Sequence, residues 1–556
     1  MKTRLISFAL VSLLLAIAIP SQTSPNPVPL ISWLAPPSTL PGGSGLTLAI
    51  HGSGFVSGSV ARWNGLDRAT TFISATQLTA AISSSDTLTD GTASVTVSNP
   101  APGGGVSNVA FFTVTHPTKS VALGGTDFVV GSNPTAGLAA DFNGDGKLDL
   151  AIGNLGSATV SILLGNGDGT FAAKKDFPTG TSPRSLAVGD FNGDGKLDLV
   201  VANQDSMSVS ILLGKGDGTF APKVDYPVGT RPRSVVVGDF NDDGKLDIAT
   251  ANHDSNTVSI LLGNGDGTFA PKMDFRAGTF PFWIVAADFN GDGKLDLAVA
   301  DYGVPQVSVL LGNGDGTFGP PWTLAVGDQP RSLALGDFNR DGNADLAVAN
   351  ENQHSVSILL GKGDGSFGAQ TMFSTVFIPF TIGTADFNGD GYLDIAVSQA
   401  GILLGKGDGT FGSLGAVSMG ARKIFLAAGD FNGDGRLDVV DGNIDLDTVT
   451  VYLQVPRVGL APHSLTFSSQ TVGTTSKPKK VTLTNTGSAL LQIAGISTSG
   501  DFAQTHTCTS TLEAGAACTI EVTFHPTTTG TRTGSLTITD DASGSPQTVT
   551  LTGTGQ

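Results

Sequence analysis

Apolar and polar positions along this chain alternate in short runs, and the runs recur. Residues 184 to 228 read RSLAVGDF, an acidic turn, LDLVVAN, the polar turn QDSMS, VSILLG, the turn KGDG and TFAPKVDYPV. Short runs of Val, Ile, Leu and Phe separated by Gly, Asp and Asn predict strands, and no segment sustains a 3.6-residue period. Each unit therefore reads as four strands. The unit returns: DFNGDGKLDL and its variants begin at Asp141, Asp190, Asp239, Asp288, Asp337, Asp386 and Asp430, six starts spaced by 49 residues and a last interval of 44. A second motif, LLGNGDGTF at 163–171, travels with the first and is absent after its seventh copy.

Seven four-stranded units of this length predict a β-propeller, with an open solenoid as the alternative. Ring closure favours the propeller. The seventh unit stops three strands in, near Gln454, while SVALGGTDFVVGSNP at 120–134 aligns with the outer strand and exit of other units, so the N-terminal strand is expected to complete the last blade. Residues 28–116 and 458–556 show the same short strands without the acidic repeat and are each the size of one β-sandwich. The expected architecture is all-β: a seven-bladed β-propeller over 120–455 flanked by two immunoglobulin-like β-sandwiches.

The first 21 residues read as a secretory signal peptide: Lys2 and Arg4, an apolar stretch from Leu5 to Ile19, then small and polar residues. The stretch is short for a membrane span and Pro20 ends it. The mature chain is expected to be secreted, or held in the periplasm or at the cell surface. Its formal charge of −18, about −20 without Lys2 and Arg4, argues against nucleic acid and anionic membranes as partners. Cys508 and Cys518 are the only cysteines, and in an exported chain so close a pair predicts a disulfide.

Charge also changes the reading of the acidic motif. Side-chain oxygens fall at positions 1, 3, 5 and 9, position 7 offers a backbone carbonyl, and Gly stands at position 6 in all seven copies. Hard oxygen donors on alternate residues of a tight loop suit Ca²⁺. The candidate ligands are Asp141, Asn143, Asp145, Lys147 and Asp149 in the first loop, and Asp190, Asn192, Asp194, Lys196 and Asp198 in the second. The third and fourth offer Asp239, Asn241, Asp243, Lys245, Asp247 and Asp288, Asn290, Asp292, Lys294, Asp296. The fifth and sixth offer Asp337, Asn339, Asp341, Asn343, Asp345 and Asp386, Asn388, Asp390, Tyr392, Asp394. The seventh offers Asp430, Asn432, Asp434, Arg436 and Asp438. Position 7 varies freely, as expected if only its carbonyl is used. A bare Asp/Asn/Gly turn is the alternative, but three carboxylates per loop would repel one another if left unneutralised. Up to seven Ca²⁺ are therefore expected. The loop resembles the first half of an EF-hand loop, yet position 12 lacks Glu and strands flank it. GNGDGT, with its single carboxylate, reads as a hairpin turn.

DFNGDGKLDL together with LLGNGDGTF resembles the FG-GAP/VCBS repeat family and is similar to the calcium-bearing blades of the integrin α-subunit propeller, over about residues 120 to 455. The resemblance implies the propeller fold; similar propellers serve adhesion and lectin-like binding, and some accompany polysaccharide-degrading enzymes. HGSGF, RWNG and VSNPAPGGGVSNVAFFTV resemble the IPT/TIG type of immunoglobulin-like domain. NTG, CTIEVTFHP and GTRTGSLTITDD resemble ASH-like or choice-of-anchor D domains. His51 and Trp63 could mark a site in the first sandwich, but a structural Trp suits its core better. Both flanks read as spacers that present the ring.

An enzyme should show a constellation that breaks the repeat. No G-x-S-x-G, H-E-x-x-H or Walker-type motif occurs, and His253 and His354 read as solvated turn residues, so activity as a hydrolase or lyase has no support in the sequence. What does break the repeat lies six residues before each acidic motif, at the mouth of the inner strand: Arg184, Arg233, Phe282 with Trp283, Arg331 and Phe380. These residues, on the face opposite the acidic loops, are a candidate site for an anionic or glycan ligand; solvated arginines with aromatics that cap the channel are the alternative. The expected function is a secreted, calcium-stabilised binding or adhesion scaffold recognising an extracellular protein, with a lectin-like glycan binder as the alternative.

Overall fold

The computed structural model describes residues 25–115, 117–118, 121, 123–412, 423–542 and 544–556. The leader expected at 1–21 lies outside them. Every regular element described is a strand, and no helix among the described residues is long and apolar enough to cross a membrane.

Seven sheets form the ring. Blades one to five are four-stranded meanders whose inner strands are Pro134–Ala140, Pro183–Gly189, Pro232–Gly238, Pro281–Ala287 and Pro330–Gly336. Blade six has three strands among the described residues, beginning at Ile382–Ala385. Blade seven joins Lys423–Gly429, Asp438–Asn443 and Thr448–Gln454 to Leu123–Val129, which pairs antiparallel with Thr448–Gln454. The N-terminal strand thus closes the last blade. Each inner strand lies against the next, and Lys423–Gly429 returns to Pro134–Ala140.

The second strands are buried along their whole length, as in Asp198–Asn203 and Asp345–Asn350, save for Asn443 at the end of the last one. Both faces of these strands meet neighbouring blades, so the sequence runs apolar rather than alternating. Seven apolar clusters result, one at each junction between blades. Hydroxyls tie the inner strands together: the amides of Val235, Ile284 and Ile382 each donate to the Ser Oγ of the preceding blade, Ser185, Ser234 and Ser332.

The N-terminal sandwich packs Leu30–Ala35, Leu46–Ser53, Gln77–Ile82 and Thr70–Ser74 against a sheet centred on Gly91–Asn99. Trp63 lies in its core, 5.1 Å from Phe112, as expected. The C-terminal sandwich pairs sheets centred on Lys479–Asn485 with Ala517–Phe524 and on Gly530–Asp540 with Gln547–Gly555. Cys508 and Cys518 form the expected disulfide there.

Candidate functional site

The acidic loop joins the first and second strands of each blade, and its oxygens turn inward. In blade one Asp141 accepts from the amides of Gly144 (2.7 Å) and Gly146 (2.8 Å). Asn143 Oδ1 accepts from the Asp145 amide and Asp145 Oδ1 from the Lys147 amide, both at 2.9 Å. The same bonds recur around the ring, as in Asp190, Asn192 and Asp194. Positions 4 and 6 need positive φ, which Gly144 (74°) and Gly146 (81°) supply. Asp242 and Arg340 adopt the same conformation at position 4 in blades three and five.

The position 9 carboxylate has a second role that sequence reasoning missed. Asp149 is fully buried; its Oδ2 accepts from the Phe142 amide at 2.9 Å and its Oδ1 from the Gly165 amide at 2.8 Å. The six equivalents, from Asp198 to Asp438, repeat both bonds at 2.7–3.0 Å, with the Gln454 amide in place of the hairpin glycine at Asp438. One carboxylate therefore fastens DF of the acidic motif to LLG of the hairpin motif. Gly165 is required because a Cβ would lie 2.1 Å from the Leu148 carbonyl oxygen.

Burial is the main cause that pushes these carboxyls up: to about 6 at Asp149 and Asp198, about 7 at Asp296 and Asp345, and about 8 at Asp247. The loop carboxylates, Asp141 and Asp145 beside Asp149, add to the rise, and the two amides oppose it. Among the described residues no three His, Cys, Asp or Glu side chains form a metal cluster by themselves. A cation in the loop would need the Asn at position 3 and the carbonyl at position 7 as well. With them, the inward-turned oxygens at positions 1, 3 and 5 and the acidic donor set fit a hard divalent cation. Position 7 is not uniformly free: Arg436 is only 4% exposed, where the charges of Asp90 and Glu513 reach it from the two sandwiches.

The N-terminal sandwich sits on this rim. The Val28 amide donates to Asp239 Oδ2 at 3.0 Å, the Ser38 hydroxyl to Asp386 Oδ2, and the Thr118 amide to the Asn388 carbonyl at 2.7 Å. A cavity of about 1220 Å³ remains between Leu30, Ser107 and Phe111 of the sandwich and the loops at Asp141, Asp190 and Asp239. His51 stacks on Trp33 at 5.0 Å, and both line a cleft against Asp337 and Tyr392. The domain is thus a cap on the acidic face rather than the expected spacer. No sequence signal marks it, because main-chain amides make much of the seam.

The opposite rim gathers the residues that break the repeat. The Arg233 and Arg331 guanidiniums each lie 5.0 Å from the Phe282 ring centroid, and Arg331 also lies 4.6 Å from Phe380. Arg184 bonds Gln204 and Arg331 bonds Glu351. Burial lowers Arg184 and Arg233 to about 10, helped by mutual repulsion with Arg231 and Arg331. Trp283 is set apart, packed against the apolar cluster between blades four and five. His253, expected in solvent, instead stacks on Phe280 at 4.7 Å and shares a 2.6 Å hydrogen bond with Asp254. His354 is exposed, as expected.

Comparison with known proteins follows the same division. An FG-GAP-like repeat model matches residues 141–201, 190–250, 239–299, 288–348 and 337–397. An Ig-like domain model described as HYDIN/CFA65/VesB-like matches 456–554. No curated protein matches the sequence. Among solved structures, the chain is similar to an auxiliary nutrient binding protein from Bacteroides ovatus, at 12% identity over 77% of this chain and 98% of that one, with a TM-score of 0.35. It is similar to a periplasmic gluconolactonase of Pseudomonas aeruginosa at 18% identity over 58% and 90%, TM-score 0.37. An ASH/PapD-like domain of human CEP192 matches at 18% identity over 18% and 87%, TM-score 0.16. Residues 141–397 therefore carry five FG-GAP-like repeat matches, and residues 456–554 form an immunoglobulin-like domain.

Proposed function

We propose that the protein is an exported, calcium-stabilised binding scaffold that meets its ligand on the rim opposite the acidic loops. One observation carries this reading: much of the acidic rim is taken up by its own hydrogen bonds and by the N-terminal sandwich, whereas the residues that break the repeat gather on the other rim. A calcium ion in each loop would be held by the oxygens at positions 1, 3 and 5 with the carbonyl at position 7. It would supply the positive charge that three neighbouring carboxylates lack. Adhesion to an extracellular protein and lectin-like binding both fit such a scaffold.

The test is an array of saccharides and extracellular proteins probed with the full chain in calcium. At least one ligand should bind wild type and lose its signal with Phe282→Ala, which removes the ring between Arg233 and Arg331. If no bound ligand depends on Phe282, this reading of the rim is wrong.

A further inference from the structure

The rim opposite the acidic loops carries more positive charge than its surroundings answer. Four guanidiniums converge on it: Arg184 from blade two, Arg231 and Arg233 from blade three, and Arg331 from blade five. Arg331 meets Glu351 at 2.6 Å and Arg231 meets Asp254 at 3.6 Å. Arg184 finds the neutral Gln204 at 2.8 Å. Arg233 has no ion pair among the described residues, and its buried Nε and that of Arg231 have no hydrogen-bond partner. The Phe282 ring at 5.0 Å and the more distant charge of Asp254 answer Arg233 only in part, and a part-buried guanidinium without an ion pair is costly until something anionic meets it.

A second, independent feature stands beside it. Phe280 is held at φ 55° and is 41% exposed, with one face against His253. The left-handed region is unfavourable for a bulky side chain, by roughly 1–2 kcal/mol. The same left-handed turn recurs at Asn133, Ser182, Arg231 and Gln329, so the repeat fixes this backbone, and what is particular to blade four is the exposed ring it carries. An exposed aromatic face joined through His253 and Phe282 to a guanidinium without an ion pair suits a sugar ring that bears a carboxylate.

We propose that this rim binds a uronate-bearing saccharide, its carboxylate on Arg233 with Arg184 and Arg331 around it and its ring against Phe280. Guanidinium suits the planar carboxylate as a bidentate donor. The apolar face of the sugar covers the exposed Phe280. The inference rests on the reading that this rim is the ligand face, and names what it takes.

The test is calorimetric titration of the full chain, in calcium, with trigalacturonate, its methyl ester and neutral galactotriose. The free acid should bind, with the ester and the neutral sugar at least tenfold weaker. Arg233→Gln and Phe280→Ala should each weaken the acid at least fivefold without lowering the thermal unfolding temperature of the protein. Arg233→Lys, which keeps the charge but loses the fork, should fall between. Equal affinity for acid and ester would overturn the proposal, as would acid binding unmoved by both substitutions. Should trigalacturonate fail to bind while another array ligand still depends on Phe282, the uronate assignment alone falls and the ligand face stands.

Discussion

Asp301 stands where blades one, two, three and five carry Asn154, Asn203, Asn252 and Asn350. Those Asn side chains donate to Ser161, Ser210, Ser259 and Ser357 at 2.8 Å. In blades one to three the serine then donates to a fourth-strand carboxylate, Asp176, Asp225 or Asp274, at 2.6 Å. In blade four Thr323 replaces that carboxylate, and Ser308 turns to donate to Asp301 itself at 2.6 Å. The charge has moved from the outer strand to a fully buried position. Burial pushes the Asp301 carboxyl up to about 6, against the opposing bonds from Ser308, Gln306 and the Gly278 amide. Its native pKa thus exceeds the unfolded value of about 4. The stability it contributes is fully present below about pH 4 and is lost as pH rises through about 6. Asp301→Asn should therefore stabilise the propeller little at pH 4 and by about 2 kcal/mol at pH 7, read as the difference between chemical-denaturation curves at the two pH values. A gain independent of pH would show that Asp301 is not the titrating group.

At the scale of the element, the two repeated motifs work as one fastening. The position 9 carboxylate holds the acidic loop to the hairpin of its own blade. The hairpin in turn reaches the preceding blade: the amides of Gly218, Gly267, Gly316, Gly365 and Gly409 donate to the Phe142, Phe191, Phe240, Phe289 and Phe338 carbonyls, and Gly169 to Phe431. The corresponding phenylalanine rings meet at 5.6–5.9 Å, as with Phe142 and Phe220 or Phe431 and Phe171. Blade seven lacks the hairpin, and there the Gln454 side chain donates to the Phe387 carbonyl at 2.7 Å instead. The repeat length and the closing strand are legible in the sequence because spacing and strand pattern are one-dimensional. The fastening is not, because an Asp in an oxygen-rich loop reads equally as a ligand or as an acceptor until the amide of a residue sixteen positions on, Gly214 for Asp198, is placed beside it. Substitutions separate the two roles. Asp198→Ala orphans the buried Phe191 and Gly214 amides and should cost about 2 kcal/mol even in chelator, after allowance for the lost buried charge. Asn192→Ala, on the partly exposed loop, should matter only when calcium is present. Thermal unfolding of both variants with calcium and with chelator checks this; equal behaviour in chelator would mean that the fastening carries no stability.

At the scale of the molecule, the N-terminal sandwich divides seven similar loops into two kinds. The repeat makes them alike in sequence, and nothing in the chain's pattern distinguishes the loops at Asp239 and Asp386 as sites of docking. The difference arises from an amide at Val28 and a hydroxyl at Ser38, which meet the position 1 carboxylates of blades three and six. Asp239 and Asp386 are consequently 4% and 3% exposed, and burial pushes both carboxyls up to about 6. The loops at Asp141 and Asp190 remain partly exposed on the wall of the cavity. If each loop takes calcium, ions in the loops the sandwich covers, those of blades three and six together with blades four and seven, where Gly293 meets Ala75 and Gly435 meets Gly91, leave only when the sandwich lifts, whereas those in blades one and two exchange directly. Release into excess chelator, followed by stopped-flow with a calcium-sensitive dye, should then show two phases, the slower holding the ions of the covered loops. Ala75 offers a way to loosen the seat, because it packs so close to Gly293 that a Cβ there would lie 2.8 Å away. Ala75→Glu drives a larger charged side chain into that seam and should speed the slow phase at least tenfold, leaving the fast phase unchanged. A single phase, or a slow phase indifferent to Ala75→Glu, would mean that docking does not control access to the loops.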